Sequence, residues 1–139
     1  MSLIVQKYGG TSVGDPERIK NVAQRVIATK KAGHDVAVVV SAMSGETNRL
    51  VDLAHQVSSQ PAGREMDLLL ASGEQVTISL LGLALQEQGY KSRAYLGSQV
   101  KIVTDNVHTK ARIRNIDVTP LQQDLASDHI VIIAGFQGV

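Results

Sequence analysis

Lys7 is followed closely by Gly9, Gly10, Thr11 and Ser12 in the stretch Leu3–Asp15, LIVQKYGGTSVGD. The apolar start of this stretch predicts a strand that delivers the Lys7 ammonium to the end of a sheet. The two glycines then predict a turn in which missing Cβ atoms allow positive φ and let backbone N–H groups approach a phosphate. A helix opening at Asp15 and Pro16 would aim its positive dipole end at the same place. The chemistry these residue types can do is phosphate binding with a cation at hand. Their order excludes two alternatives: a Walker A loop carries its lysine after the glycines, and a dinucleotide fingerprint is spaced GxGxxG. The plain structural alternative is a βα turn that needs glycine for its geometry, with Lys7 snorkelling from a strand end.

A second polar segment, Ser41–Asn48 (SAMSGETN), follows the β-branched run Asp35–Val40 directly. Ligands of open α/β sheets sit outside the carboxyl ends of the strands, so this loop and the Lys7 loop are expected to face one crevice. Ser, Gly and Asn are also ordinary turn residues. Glu74 stands between apolar segments just after Ser72 and Gly73. A lone buried carboxylate is costly, so it must be paired, solvated or turned to a ligand. The non-functional reading makes it a glutamate at a helix N-terminus, favoured by the dipole.

These residues need a scaffold, and the elements to build one are legible. Asp15 is a good N-cap with Pro16 at the first helical position, and Ile19, Val22, Ala23, Val26 and Ile27 recur at helical spacing up to Gly33. Strand, helix, strand in that order predicts a parallel βαβ unit and the α/β class, because such crossovers are right-handed and pack back on the sheet. Thr47 and Asn48 are expected to cap a second helix burying Leu50, Leu53, Ala54 and Val57. A long helical stretch, 64–88, is expected to break near Ser72 and Gly73. Its second half is apolar nearly all round, as in a buried helix. Gly89 closes it. Ser92–Leu96 reads as a strand, 101–104 and 111–116 as a short β excursion, 119–126 as a short helix, and Ile130–Ala134 as a third buried strand running into GFQG. That last strand has no helix after it, which points to truncation at Val139.

Composition bounds the partners. A 139-residue chain with 43% hydrophobic residues can bury a core and is most simply one domain or part of one. A net charge of +1 with 3% aromatic residues supplies neither the basic stripe nor the stacking platforms of a nucleic-acid binder. No cysteine is present, which removes disulfides, thiolate metal sites and a cysteine nucleophile. The start of the chain lacks a signal-peptide pattern and no apolar run is read as long enough for a membrane span, so a cytoplasmic protein without membrane contact is expected. His34, His55, His108 and His129 form no site by spacing, and surface or solvated roles are expected for all four. No carboxylate cluster suggests a metal cage.

KYGGTSV at 7–13, VVVSAMSGETN at 38–48, LLASGEQVTISLL at 69–81 and IAGFQG at 133–138 together resemble, in order and spacing, the amino-terminal part of the catalytic domain of aspartokinases, within the amino-acid-kinase family. The resemblance covers essentially the whole chain. It implies a three-layer α/β sandwich, carbamate-kinase-like, with a mostly parallel sheet flanked by helices on both faces, of which residues 1–139 would be the N-terminal half. It implies ATP-dependent phosphorylation of the L-aspartate side-chain carboxylate to 4-phospho-L-aspartate, at the head of lysine, threonine and methionine synthesis, with Mg²⁺ carried by ATP. By the same resemblance Lys7 would be catalytic and, with Gly9, Gly10, Thr11 and Ser12, would hold the phosphates, while Ser41, Thr47, Glu74 and Phe136 would line the aspartate pocket. The nucleotide-binding half and the ACT-type regulatory domains of that family are not in this sequence, so the 139 residues alone are expected to be inactive, and the full-length protein is expected to be a homo-oligomer. Other readings stay open: an acetylglutamate or glutamate kinase, a non-catalytic substrate-binding or assembly module, or a dinucleotide-binding domain, the last disfavoured by the missing GxGxxG.

Overall fold

The computed structural model describes residues 2–96, 102–104, 113–116 and 119–135. Strand β1 (Leu3–Tyr8) leads through a 3-10 turn, Gly10–Val13, into α1 (Pro16–Lys31) and β2 (Asp35–Val40). Then come α2 (Glu46–Val57), α3 (Gly63–Glu87), β3 (Ser92–Tyr95), β4 (Ile102–Thr104), β5 (Ile113–Ile116), α4 (Thr119–Ala126) and β6 (Ile130–Ala134). The main sheet is parallel throughout, in the order β1-β2-β6-β3, and β4 pairs with β5 as a separate antiparallel ribbon. The α/β class, the strand positions and the βαβ opening are as the sequence predicts.

Helices α1 and α3 pack against each other on one face of the sheet. Val36, Val38, Val40, Ile130, Ile132 and Ala134 meet Ile19, Val22, Val26, Ile78, Leu81 and Leu85 there in one core. Leu81, Leu85, Ile130 and Ile132 are fully buried, each contributing about 1.5–3 kcal/mol of transfer free energy. The opposite face carries α4, fastened by Asp124, which accepts a hydrogen bond from the Tyr95 hydroxyl and lies 3.8 Å from the Arg93 guanidinium. Helices therefore flank both faces. Toward the β1 edge no described element covers that second face, with Leu3 52% and Val5 63% exposed.

Several expectations about the helices are corrected. Helix α2 is capped by Gly45 and not by Thr47 or Asn48: Gly45 sits at φ 81, a left-handed turn that favours glycine, so the helix begins at Glu46. Its buried stripe is Leu50 and Ala54 alone, since Leu53 and Val57 are 42% and 88% exposed. Helix α3 runs without a break through Ser72 and Gly73. A Cβ on Gly73 would lie 3.2–3.3 Å from Ala42 Cβ, Glu46 Cγ and Leu50 Cδ1, so the small residue lets α2 and the preceding loop approach the helix. Nor is the second half of α3 buried all round, because Val76, Leu80 and Leu83 form an exposed outer stripe. Its length and composition would let it cross a membrane, contrary to the expectation that no segment reaches that mark. Its inner residues Thr77, Leu81 and Leu85 are packed on the sheet as in a core helix.

Two of the histidines also depart from expectation. His34 and His129 are half-buried at the amino ends of β2 and β6, each with a buried Nδ1 that has no hydrogen-bond partner among the described residues, whereas His55 is exposed. His108 lies outside the described residues.

Candidate functional site

Lys7 pairs with Val39 in the parallel register, one residue before the carboxyl ends of β1 and β2. Its side chain alternates with Gln6 and Tyr8, which are held on the α1 side through a chain of hydrogen bonds: Tyr8 Oη donates to Gln6 Oε1 at 3.0 Å and Gln6 Nε2 donates to Thr29 Oγ1 at 2.7 Å. Lys7 is exposed on the other face and makes no ion pair with any described residue. A cation anchored by its backbone and left unpaired beside a polar loop can meet an anion without first breaking a salt bridge.

The loop itself differs from the expected glycine turn. Neither Gly9 nor Gly10 has positive φ. Gly9 lies at φ −79 and ψ 175, an extended conformation open to any residue, and a Cβ there would meet nothing within 4 Å. At Gly10 the requirement is close approach: a Cβ would lie 3.0 Å from the Ala42 carbonyl oxygen and 3.6 Å from the Ser44 backbone nitrogen. Past Gly10 the chain closes a 3-10 turn, with the Ser12 N–H donating to the Gly9 carbonyl at 3.0 Å, and buries Val13 completely beneath it. Thr11 and Ser12 are left exposed on top. Helix α1 starts as the sequence predicts, with the Asp15 carboxylate accepting from the Arg18 N–H at 2.8 Å.

The segment 41–46 touches the ends of β1 and β6, the Gly10 turn and Gly73 of α3. Ser41 extends the ladder by donating its N–H to the Tyr8 carbonyl at 3.3 Å, and its Oγ lies 3.6 Å from where a Cβ on Gly135 would sit. Gly135 in turn donates its N–H to the Val40 carbonyl at 2.8 Å, which carries the end of β6 to the same place. Ala42, 7% exposed, touches both the Gly10 turn and Gly73 of α3. Thr47 is exposed in the first turn of α2. Glu74, next to Gly73, is 7% exposed in the middle of α3, far from either helix end, so the helix N-terminal reading of this glutamate is overturned, and the residue is not left without a partner. Phe136 lies outside the described residues.

The structure thus gathers the Gly9–Ser12 turn, Ser41, the start of α2 and Gly73 of α3 around one carboxyl end of the sheet, with Glu74 next in sequence to Gly73. Missed from the sequence was Glu46, whose carboxylate takes two hydrogen bonds from Arg49, at 2.6 and 3.1 Å, and whose stem packs on Gly73. The Arg49 hydrogen bond holds the Glu46 carboxyl below its ordinary range. The spacing Glu46-x-x-Arg49 on a helix was the available signal.

The sequence pattern of the amino acid kinase family matches residues 2–139. The chain belongs to the amino acid kinase family. Among the members of that family to which it is similar is aspartokinase 2 of Bacillus subtilis, 58% identical over 139 residues, which are all of this chain and 34% of that protein. The crystal structure of aspartate kinase from Synechocystis superposes with a TM-score of 0.83 at 48% identity, covering 99% of this chain and 22% of the other. Aspartokinase III of E. coli, solved in complex with aspartate and ADP, shares the fold at a TM-score of 0.78 and 21% identity, covering 99% and 41%. The chain therefore spans about a third of the length of the curated relative it matches. Within the amino acid kinase fold, the crevice described here is where two successive βα loops and the buried part of α3 converge.

Proposed function

We propose that this chain is the phosphate-loop and substrate-contact portion of an aspartate kinase catalytic domain, acting in transfer of the γ-phosphoryl group of ATP to the side-chain carboxylate of L-aspartate. In that reaction a carboxylate oxygen attacks the γ-phosphorus, the bond to the β–γ bridging oxygen breaks, and its electron pair leaves with ADP. Such a transfer asks the protein mainly for positioning and for cations and N–H donors around the developing charge. Lys7 supplies the cation, the backbone at Gly9, Gly10, Thr11 and Ser12 supplies donors, and Ser41, Thr47, Glu74 and Phe136 contact the amino acid, with Glu74 opposite its ammonium. No group of three His, Asp or Glu side chains among the described residues could cage a metal, and Mg²⁺ would be held by the phosphates of the nucleotide it arrives with. The same reading places the reaction at the head of lysine, threonine and methionine synthesis, in the cytoplasm, in a homo-oligomer under feedback control.

The observation that carries the proposal is Gly9: neither its φ nor its packing needs a glycine, which leaves close approach of a ligand as the reason for one beside a lysine that no described residue pairs. The identity to aspartokinases supports the choice of acceptor. The test is a chimera in which this chain replaces the matched segment of the Bacillus subtilis enzyme. It should release ADP in an aspartate-dependent way, and Lys7→Met should lower its kcat by at least ~100-fold, the scale of losing one electrostatic contact to a transition state. Near-normal turnover of a folded Lys7→Met chimera would return Lys7 to the role of a solvated strand-end lysine.

A further inference from the structure

Between the 3-10 turn Gly10–Val13 and α1 lies a cleft of about 190 Å³ lined by Ser12, Arg18, Asn21, Val22 and Arg25. Arg18, Asn21 and Arg25 follow one another at i+3 and i+4, so they share one side of the helix, and Val22, 3% exposed, is the apolar floor between them. The other four lining residues all carry hydrogen-bond donors and none carries a carboxylate.

The two guanidinium groups are held differently. Arg18 donates from Nη1 to the Thr11 carbonyl at 2.7 Å, and its Nε is 3.8 Å from an Asp15 oxygen, so it is fixed against the turn. Arg25 has no ion pair with any described residue. Its charge reaches back to Tyr8, where burial raises the phenol above its ordinary value and Arg25 works against that rise. Arg18 thus has the Asp15 carboxylate beside it, while the Arg25 guanidinium is left without a counter-charge among the described residues. At about 30 Å³ per water, the space suits about six waters or a single five-atom oxyanion with part of its hydration.

We propose that this cleft binds a tetrahedral oxyanion of the phosphate class, either the free ion or the terminal phosphate of a small metabolite. The site is additional to the Lys7 contacts assigned to the transferring phosphate, and it does not depend on the aspartate kinase reading. Guanidinium groups bind such oxyanions through charge-assisted hydrogen bonds, with the Ser12 hydroxyl and Asn21 amide completing the donors. Because Arg18 also holds the Thr11 carbonyl, an anion in the cleft braces the turn that carries Gly9 and Gly10.

The experiment is an amide-resolved NMR titration of the ¹⁵N-labelled 139-residue chain with inorganic phosphate and with glycerol 3-phosphate, at constant ionic strength held by chloride. Saturable shifts are expected at Asn21 and Arg25. Arg25→Gln should weaken them at least ~10-fold, the loss of one hydrogen bond to a charged group. Asn21→Asp, which places a carboxylate in the lining, should abolish them. Tighter binding of the monoester identifies a metabolite phosphate, and equal or tighter binding of phosphate identifies the free ion. The proposal is overturned by shifts that do not saturate or that chloride alone reproduces. Wild-type affinity in both folded variants overturns it equally.

Discussion

The Ala42 carbonyl oxygen lies 3.0 Å from the point where a Cβ on Gly10 would stand, whereas the same construction on its neighbour Gly9 meets nothing within 4 Å. The two glycines of one pair thus answer to different demands. Gly10 fits the fold, while Gly9 leaves a bare stretch of extended backbone at the end of β1.

Opposite signs are expected when each is replaced by alanine. Gly10→Ala must push a backbone carbonyl aside and should cost about 1–3 kcal/mol, the range for overpacking. Gly9→Ala should stabilise by about 0.4–1 kcal/mol, because it restricts the unfolded chain at a φ that alanine accepts. Urea unfolding of both variants checks this. Equal effects would show that the Gly10 turn relaxes freely. In the chimera, Gly9→Ala should lose turnover despite its gain in stability.

Glu74 is buried in the middle of α3, where no helix end can account for it. If it faces the substrate ammonium, Glu74→Gln in the chimera should weaken aspartate by about 1.5–3 kcal/mol, the scale of a hydrogen bond to a charged group, and leave the ATP KM nearly unchanged. Both KM values measured side by side decide the matter. Equal shifts in the two, or none, would make Glu74 a structural acid.

At the opposite end of the sheet Lys30 Nζ lies 2.8 Å from Asp128 and 3.5 Å from Asp35. Burial alone would lower the Lys30 pKa, but the hydrogen bond to Asp128 and the charges of Asp128 and Asp35 outweigh it and hold Lys30 above its ordinary value. The hydrogen bond and charge of Lys30 lower Asp128 in turn. A carboxyl depressed in the folded state contributes stability that is present above its unfolded pKa and lost as pH falls through its folded pKa. Asp128→Asn keeps a residue that tolerates the φ of 64 at this position but removes the charge. Wild type should therefore be the more stable near neutral pH, with the difference fading below the ordinary Asp value of 3.8. Thermal melts of both proteins across that range test it, and a difference that does not change with pH would remove the pair from the stability of the fold.

Local pattern alone determined the strands, the α/β class and the span and cap of α1, because period, capping residues and β-branched runs act within a few neighbours: Ile19, Val22, Ala23, Val26 and Ile27 are buried as their spacing predicts. It also located the two loops after β1 and β2, since each polar segment directly follows an apolar or β-branched run. What required the tertiary structure was each feature set by an approach between segments distant in sequence. Ser72 and Gly73 read as a helix break until α2 and Ala42 are seen pressed against Gly73, and Glu74 read as a helix start until α3 is seen to run through it. The apolar second half of α3 read as buried all round, yet what covers a helix is decided by its neighbours, and among the described residues none covers Val76 and Leu83. The different duties of Gly9 and Gly10 are likewise invisible in the letters GG, because the carbonyl that separates them belongs to Ala42, across the crevice in the loop after β2.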